Sequence, residues 1–151
     1  MKRLAAGIWR RLRGRAQWRI LWLAHAKFVV GVTGVVRDDQ GRVLLLRHRL
    51  WSPRHPWGLP TGCAAAGEAF PDTVVREVKE ETGLDVEPGR LVRLNSGYRL
   101  RVEVAYEARL VGGELRIDPF EILEARWCTP DELPEGLQES HRELIHGEAV
   151  V

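Results

Sequence analysis

The spacing of apolar residues divides the chain into a short leader and a larger domain. In residues 1–27 the apolar positions recur every three or four residues, which predicts an amphipathic helix. From residue 28 the pattern changes to β-branched runs, and an Asp-Asp-Gln-Gly turn signal separates residues 28–36 from residues 43–46, which predicts a β-hairpin. Further strands are predicted at residues 90–96, 99–111 and 122–128.

Two helices are predicted between and after these strands. Residues 71–82 begin with Pro71, which suits the first turn of a helix, and are followed by Gly83, which suits the position after the last turn. The Gly112-Gly113 pair is expected to break the strand run, and a final helix is expected around residues 136–146. This mixture predicts one domain of the α/β (α+β) class, built as a sandwich of helices and a sheet.

Charge divides the chain at the same place as the apolar pattern. Eight of the 23 basic residues lie in residues 1–27, which hold no acid, so residues 28–151 carry 15 basic and 21 acidic side chains, a net charge of −6. We therefore expect a basic amphipathic extension over residues 1–27 and the folded domain over residues 28–151. The run Ile20 to Ala24 is too short for a signal peptide or for a span of about 20 apolar residues.

The basic extension fits several partners. It is predicted first to pack on its own domain or on a second copy in a homodimer, and second to make a peripheral contact with a membrane through its tryptophans and basic residues. Nucleic acid comes last, because no recognition motif accompanies the charge. Since the two cysteines, Cys63 and Cys128, form no disulfide framework, the default location is a reducing compartment, the cytoplasm.

The predicted helix at residues 71–82 carries clustered acids. Glu77, Glu80 and Glu81 fall within a sector about 100° wide, because residues three and four apart share one face of a helix. Such carboxylates repel one another unless a cation lies among them, and their hard oxygen atoms suit magnesium or manganese. The alternative is a solvated acidic face that Arg76 and Lys79 partly neutralise.

The residues around these acids resemble the signature of a known family. The stretch GCAAAGEAFPDTVVREVKEETGL is similar to the Nudix box, and the flanking segments Trp-Gly-Leu-Pro and Ala-Arg-Trp resemble the family's flanking elements. The resemblance covers residues 28 to about 146. Each fixed position of the box is matched, by Gly62, Glu68, Arg76, Glu77, Val78, Glu80, Glu81, Gly83 and Leu84.

The resemblance implies an α/β/α sandwich with a mixed β-sheet and a hydrolase that requires a divalent metal. Mg²⁺ is the expected ion and Mn²⁺ the alternative. The bond cleaved would be a phosphoanhydride in a nucleoside diphosphate derivative: a nucleotide, a nucleotide sugar or a dinucleoside polyphosphate. A non-catalytic binding or adaptor module with this fold is the alternative function.

The resemblance also implies roles for single residues. Glu80 and Glu81 would be the main metal ligands, with the carbonyl of Gly62, and Glu77 would be a further ligand or the base that activates water. Arg76 and Glu68 would form a supporting ion pair. An extra carboxylate from outside the box is expected at Glu121, with Glu124 as the alternative.

The loop before the box helix departs from the family pattern at two positions. Cys63 stands where the family often has a glycine, and Ala65 stands where it often has an acid. Nearby basic and aromatic side chains could contact substrate, because arginine pairs with phosphate and aromatic rings stack on bases. The candidates for substrate binding are Arg47, Arg49, Arg54, Trp57 and Tyr98, with Trp51 and His55 as further options.

Overall fold

The computed structural model describes Trp9 and residues 14–147. The helices are α1 (Arg15–Ala24), α2 (Phe70–Thr82) and α3 (Glu139–His146). The strands are β1 (Val29–Arg37), β2 (Val43–His48), β3 (Trp57–Gly58), β4 (Thr61–Cys63), β5 (Leu84–Asn95), β6 (Arg101–Gly113) and β7 (Ile122–Cys128).

The seven strands form one mixed sheet. Its main order is β3-β2-β1-β6-β5, while β4 pairs with β1 and β7 pairs with β2. The pairing of β1 with β6 is parallel, and the other strand pairs are antiparallel. The predicted hairpin and the predicted mixed sheet are confirmed.

Alternating residues of the two central strands send apolar side chains to opposite faces of the sheet. Val32 and Val36 of β1 pack in one core cluster with Val78 of α2, while Val35 packs in a second cluster with Ile145 of α3. This alternation is what a strand with both faces buried requires. The helices therefore cover the two faces, which gives the predicted α/β/α sandwich.

Helix α2 forms where the sequence predicted it. Pro71 lies in its first turn, and Gly83 ends it with a left-handed φ of 72° and a hydrogen bond from its N–H to the carbonyl of Lys79 at 2.9 Å. Its apolar side is buried, with Val74 at 1% and Val78 at 0% exposure. Burial of one face leaves the opposite face, with its acids, directed away from the core.

Strand β6 ends at Gly113, so the Gly112-Gly113 pair ends the strand run as predicted, although both glycines still belong to the strand. Gly113 pairs with Leu84, the first residue of β5. A Cβ atom at Gly113 would lie 2.6 Å from the carbonyl oxygen of Gly83, so this close approach requires glycine. Strand β5 consequently starts at residue 84 instead of 90, and α3 starts at residue 139 instead of 136.

Part of the predicted N-terminal helix is present as α1, which spans Arg15–Ala24. Residues 1–8 and 10–13 lie outside the described part of the chain, and α1 starts after Gly14. Helix α1 has no buried residue, so the expected packing on the domain is not found for Arg15–Ala24. Among the described residues, no helix is long and apolar enough to cross a membrane.

Candidate functional site

The Arg76 guanidinium links four groups at the start of the candidate site. Its Nε lies 2.8 Å from Oε1 of Glu68, and its Nη1 lies 2.7 Å from Oε1 of Glu77 and 3.1 Å from Oε2 of Glu80. Its Nη2 also donates to the carbonyl of Cys63 at 3.1 Å. One cation therefore joins the loop before α2 to two acids of the helix face.

Glu68 is fixed from several sides. Its Oε2 accepts hydrogen bonds from the backbone N–H of Ala65 and from the hydroxyl of Thr73, both at 2.9 Å. The hydrogen bond from Arg76, with these contacts, lowers the pKa of Glu68 to about 2. Glu68 is thus held as a carboxylate and anchors Arg76.

Glu81 is the buried acid of the helix face. It is 3% exposed, and its Oε2 has no hydrogen-bond partner. Burial, followed by the negative charges of Glu77 and Glu121, raises the pKa of Glu81 to about 9. Nδ1 of His48, itself buried, lies 3.9 Å from Oε1 of Glu81. A buried carboxylate with this surrounding charge is stabilised by an added cation.

Gly62 on β4 lies directly against Glu77. It pairs with Val32 of β1, and a Cβ atom at this position would lie 1.9 Å from the carboxyl carbon of Glu77. Any side chain at residue 62 would therefore displace the carboxylate. Burial is the largest influence on Glu77 and raises its pKa above the ordinary value.

The loop before β7 brings one further acid towards this group. The charge of Glu121 acts on both Glu77 and Glu81. Glu124 instead has an oxygen 2.6 Å from the guanidinium of Arg126 and another 3.8 Å from that of Arg47. Of the two acids considered from the sequence, Glu121 is the one that faces the helix acids.

The acids offer the oxygen atoms that a cation needs, but their side chains are not arranged as a coordination shell in this structure. Within the described part of the chain, no three acidic, histidine or cysteine side chains converge closely enough to hold a metal ion as they stand. In this structure the cation that pairs with Glu77 and Glu80 is the guanidinium of Arg76. The unpartnered oxygen of Glu81 and the all-oxygen donor set are what a hard divalent ion requires.

A cavity of about 530 Å³ opens beside Gly62 and Cys63. It lies between the sheet and the N-terminal part of α3, and its polar lining includes arginines from β5 and β6. Side chains that line it include Trp51, Arg93, Arg101, Gln138, Ser140 and His141. Its volume is that of a small-molecule site.

Trp51 forms an aromatic wall of this cavity. Its ring stacks on His48 at 3.7 Å between centroids and meets His141 edge-on at 5.8 Å. A Cβ atom at Gly58 would lie 2.3 Å from the Trp51 ring, so a glycine there leaves room for the indole. Nδ1 of His141 accepts the N–H of Leu59 at 3.0 Å, and burial lowers the pKa of His141 to about 4.

The comparison with known proteins decides the family. The NUDIX domain model matches residues 27–147, which is most of the chain. The chain belongs to the Nudix family. Enzymes of this family generally need a divalent metal ion.

The curated Nudix relatives are longer than this chain. The NAD-capped RNA hydrolase NudC of Enterobacter sp. (strain 638) is 36% identical over 107 residues, which are 68% of this chain and 39% of that protein. The 8-oxo-dGDP phosphatase NUDT18 of Homo sapiens is 34% identical over 110 residues, 71% of this chain and 34% of that protein. The chain thus spans less than half the length of either relative.

Solved Nudix structures match more of their own length. The MutT NUDIX hydrolase of Burkholderia pseudomallei is 29% identical with a TM-score of 0.68, and the match covers 83% of this chain and 99% of that one. An ADP-ribose pyrophosphatase of Streptococcus suis is 27% identical with a TM-score of 0.63, covering 80% and 90%. The fold of the described domain is therefore the Nudix fold.

The Nudix box residues come together, but the predicted substrate contacts do not join them. Trp57 is 7% exposed and packs in the core beneath the guanidinium of Arg126, 4.8 Å from the ring centroid. Arg49 donates to the carbonyl of Pro119 at 2.9 Å. None of Arg47, Arg49, Arg54, Trp57 and Tyr98 lines the 530 Å³ cavity.

The sequence missed most of the cavity residues. Arg93, Arg101 and His141 come from β5, β6 and α3, and they carry no motif that marks them as neighbours. Trp51 was considered from the sequence as an aromatic residue near the box, and it is the one such option that reaches the cavity. Arg93, Arg101 and His141 become neighbours only because β1 pairs with β6 and α3 packs on the sheet. The local spacing of residues does not predict these tertiary contacts.

Proposed function

We propose that this chain is a Mg²⁺-dependent Nudix hydrolase that cleaves a phosphoanhydride bond in a nucleoside diphosphate derivative. The observation that carries the proposal is Glu81, a buried carboxylate with an unpartnered oxygen near the negative charges of Glu77 and Glu121. Gly62, which lies against Glu77, also lines the substrate-sized cavity. A buried carboxylate of this kind is unstable as an anion without a cation, and a divalent ion suits both it and a diphosphate.

The metal would be held by the acids of α2. Glu80 and Glu81 are the main ligands in this proposal, with the Gly62 carbonyl and either Glu77 or Glu121 completing the set. Mn²⁺ is the alternative ion. When bound, the metal neutralises charge on the diphosphate and lowers the pKa of a bound water.

Chain residues would orient the acids and move the proton. Glu68 fixes Arg76 by a two-point ion pair, and Arg76 in turn holds Glu77 and Glu80 in position on the face that would bind the metal. Burial raises the pKa of Glu77, which makes its carboxylate a stronger base towards a water molecule. Gly62 keeps the space that this carboxylate needs.

The cavity supports the assignment of substrate class. A diphosphate placed at α2 leaves the nucleoside part next to Gly62 and Cys63, where the cavity offers the Trp51 ring for stacking and the Arg101 side chain for polar contact. The names of NudC, of NUDT18 and of the ADP-ribose pyrophosphatase all describe action on nucleoside diphosphate derivatives. Arg54 stays a candidate for an outer phosphate, because its side chain is exposed at the loop entering the box.

A substrate screen tests the proposal. Nucleotides, nucleotide sugars and dinucleoside polyphosphates are incubated with Mg²⁺ or Mn²⁺, and released phosphate is read after coupling to a phosphatase. We expect turnover that a chelator abolishes. The Glu80→Gln, Glu81→Gln double variant should lower kcat by about 1000-fold, equivalent to ~4 kcal/mol of barrier.

Glu124→Gln is the matched control, since Glu124 pairs with Arg126 away from the helix acids. Mg²⁺ should raise the unfolding temperature of the parent and of this control. The rise should be much smaller for the double variant. Near-normal turnover by the double variant at saturating Mg²⁺ would overturn the assignment. An adaptor would instead bind a nucleotide without turnover, and would do so equally well in the double variant.

A further inference from the structure

Helix α1 presents large apolar side chains to solvent. Trp18 is 73% exposed, Trp22 is 64% exposed and Leu23 is 72% exposed, and no residue of the helix is buried. Exposed aromatic and aliphatic groups this close together mark an interaction surface more often than free surface. The surface is therefore without a partner within the described part of the chain.

These side chains form one patch with a cationic edge. Trp18, Arg19, Trp22 and Leu23 line a shallow, almost wholly apolar depression of about 490 Å³. The ammonium group of Lys27 lies 4.2 Å from the centroid of the Trp22 ring. Tryptophan rings beside cations are the arrangement that suits the boundary between acyl chains and headgroups.

The described basic residues of the leader form no ion pair within the described part of the chain. Residues 1–27 carry eight basic and no acidic side chains, while residues 28–151 carry a net charge of −6. Among the ion pairs of the described residues, none involves Arg15, Arg19 or Lys27. These three cations can therefore contact an external anionic surface.

We propose that α1 docks the protein on an anionic lipid surface, with Trp18, Trp22 and Leu23 in the headgroup boundary. A lipid surface supplies both an apolar phase for the tryptophans and negative charge for the basic residues, and each basic residue near such a surface strengthens binding. Two copies of α1 facing each other would bring like charges together. A nucleic acid would neutralise the charge but offers no apolar phase for Leu23.

Sedimentation of the full chain with lipid vesicles tests the proposal. One set is made of phosphatidylcholine alone and the other of phosphatidylcholine mixed with phosphatidylglycerol. We expect binding to the anionic vesicles only, weakening as salt is added. The Trp18→Ser, Trp22→Ser variant and the Arg15→Gln, Arg19→Gln variant should each lose at least about tenfold in affinity, equivalent to ~1.4 kcal/mol.

The matched control is Leu94→Ser, which removes an exposed apolar side chain (60% exposed) from β5 and should bind vesicles like the parent. All variants should keep the unfolding temperature and solution turnover of the parent. Absence of binding to anionic vesicles, or binding that the Trp18→Ser, Trp22→Ser change leaves intact, overturns the proposal. The proposal is also overturned if the full chain is a dimer that the Trp18→Ser, Trp22→Ser change dissociates, or if the chain binds an oligonucleotide and not the vesicles.

Discussion

Helices α1 and α2 are both built on apolar residues spaced three or four apart, yet α2 buries its apolar side chains and α1 buries none. The difference lies in what precedes and follows each helix. Helix α2 is held between β4 and β5, since β5 starts at Leu84 directly after Gly83, and so its valines are placed on the sheet. Helix α1 is followed by β1 from Val29, and none of its own residues is buried. Periodicity thus predicts that a helix forms and leaves open which surface receives it.

The two helices also treat their charges differently. Glu77 and Glu80 of α2 share an internal counter-ion, Arg76, whereas Arg15 and Arg19 of α1 have no ion-pair partner among the described residues. A clustered charge that is matched inside the fold indicates a prepared site. A clustered charge left unmatched indicates a surface for something outside the molecule.

The largest effect is expected from a substitution that disturbs the acidic site on α2. Gly62→Ala should lower kcat by about 1000-fold, ~4 kcal/mol of barrier, because a Cβ atom would lie 1.9 Å from the Glu77 carboxyl carbon. Gly112→Ala is the control, since its nearest neighbour would be 3.9 Å away. Steady-state kinetics with Mg²⁺ gives the result. Turnover of Gly62→Ala within tenfold of the parent would contradict the placement of Glu77.

The second prediction concerns pH and the buried polar groups of the domain. His141 has a pKa of about 4 when folded and an ordinary value of 6.5 when unfolded. Between these values the unfolded chain binds more protons, so the contribution of His141 to stability is full above pH 6.5 and falls by about 3 kcal/mol as pH drops to 4. His141→Asn should reduce the slope in urea unfolding of the metal-free protein, while His48, whose pKa burial also lowers to about 4, keeps its own share.

The comparison of parent and His141→Asn isolates this effect. Glu81 acts in the opposite direction, because its raised pKa makes stability fall as pH rises from 4.5 towards 9, and it is common to both proteins. A chain starting at Lys27 should show the same slope as the full chain, since α1 buries nothing. An unchanged slope in His141→Asn would show that His141 takes up its proton without cost when folded.

A matched pair of side-chain substitutions measures how much packing each of the two helices contributes to stability. Val78→Ala should lower the free energy of unfolding by about 2 kcal/mol, because it removes methyl groups from a side chain with 0% exposure and leaves a cavity. Leu23→Ala should change it by less than about 0.5 kcal/mol, because that side chain is exposed. Urea unfolding of both variants gives the values. Equal losses would mean that α1 is packed in solution.

The smallest effect is expected from removing α1 altogether. A chain that starts at Lys27 keeps the residues of the family match and should retain kcat to within about tenfold, ~1.4 kcal/mol. It should also lose the binding to anionic vesicles. A larger fall in kcat for a chain that still folds would place the leader in the active site, and the division of the chain at residue 27 would then be wrong.

The parts of the molecule that local sequence could predict are those whose signals lie within one turn or one strand. Pro71 and Gly83 mark the ends of α2, and the spacing of Glu77, Glu80 and Glu81 places them on one face. Strand β5 was predicted six residues too short at its start because Pro88 hides an alternating pattern from Leu84 onwards, and the register with β6 shifts between Pro88 and Leu91. A bulge of this kind interrupts periodicity without ending the strand.

The cavity could not be predicted in the same way. Its walls meet only after β1 pairs with β6 and α3 packs on the second face of the sheet. Trp57 shows the converse error, because an aromatic residue next to the box was expected at the substrate and instead fills the core. Aromatic side chains serve both purposes, and only the tertiary contacts decide between them.

The guanidinium of Arg76 affects how the protein can fold before it binds a metal ion. Many small metalloproteins fold only when their ion is present, because the free energy of metal binding is part of their free energy of folding. Here a cation carried by the chain itself already bridges Glu77 and Glu80, and Glu68 keeps it in place. The acidic face can therefore assemble on a newly synthesised chain whatever the supply of divalent ions. A divalent ion would then bind to acids whose positions the chain itself has already set.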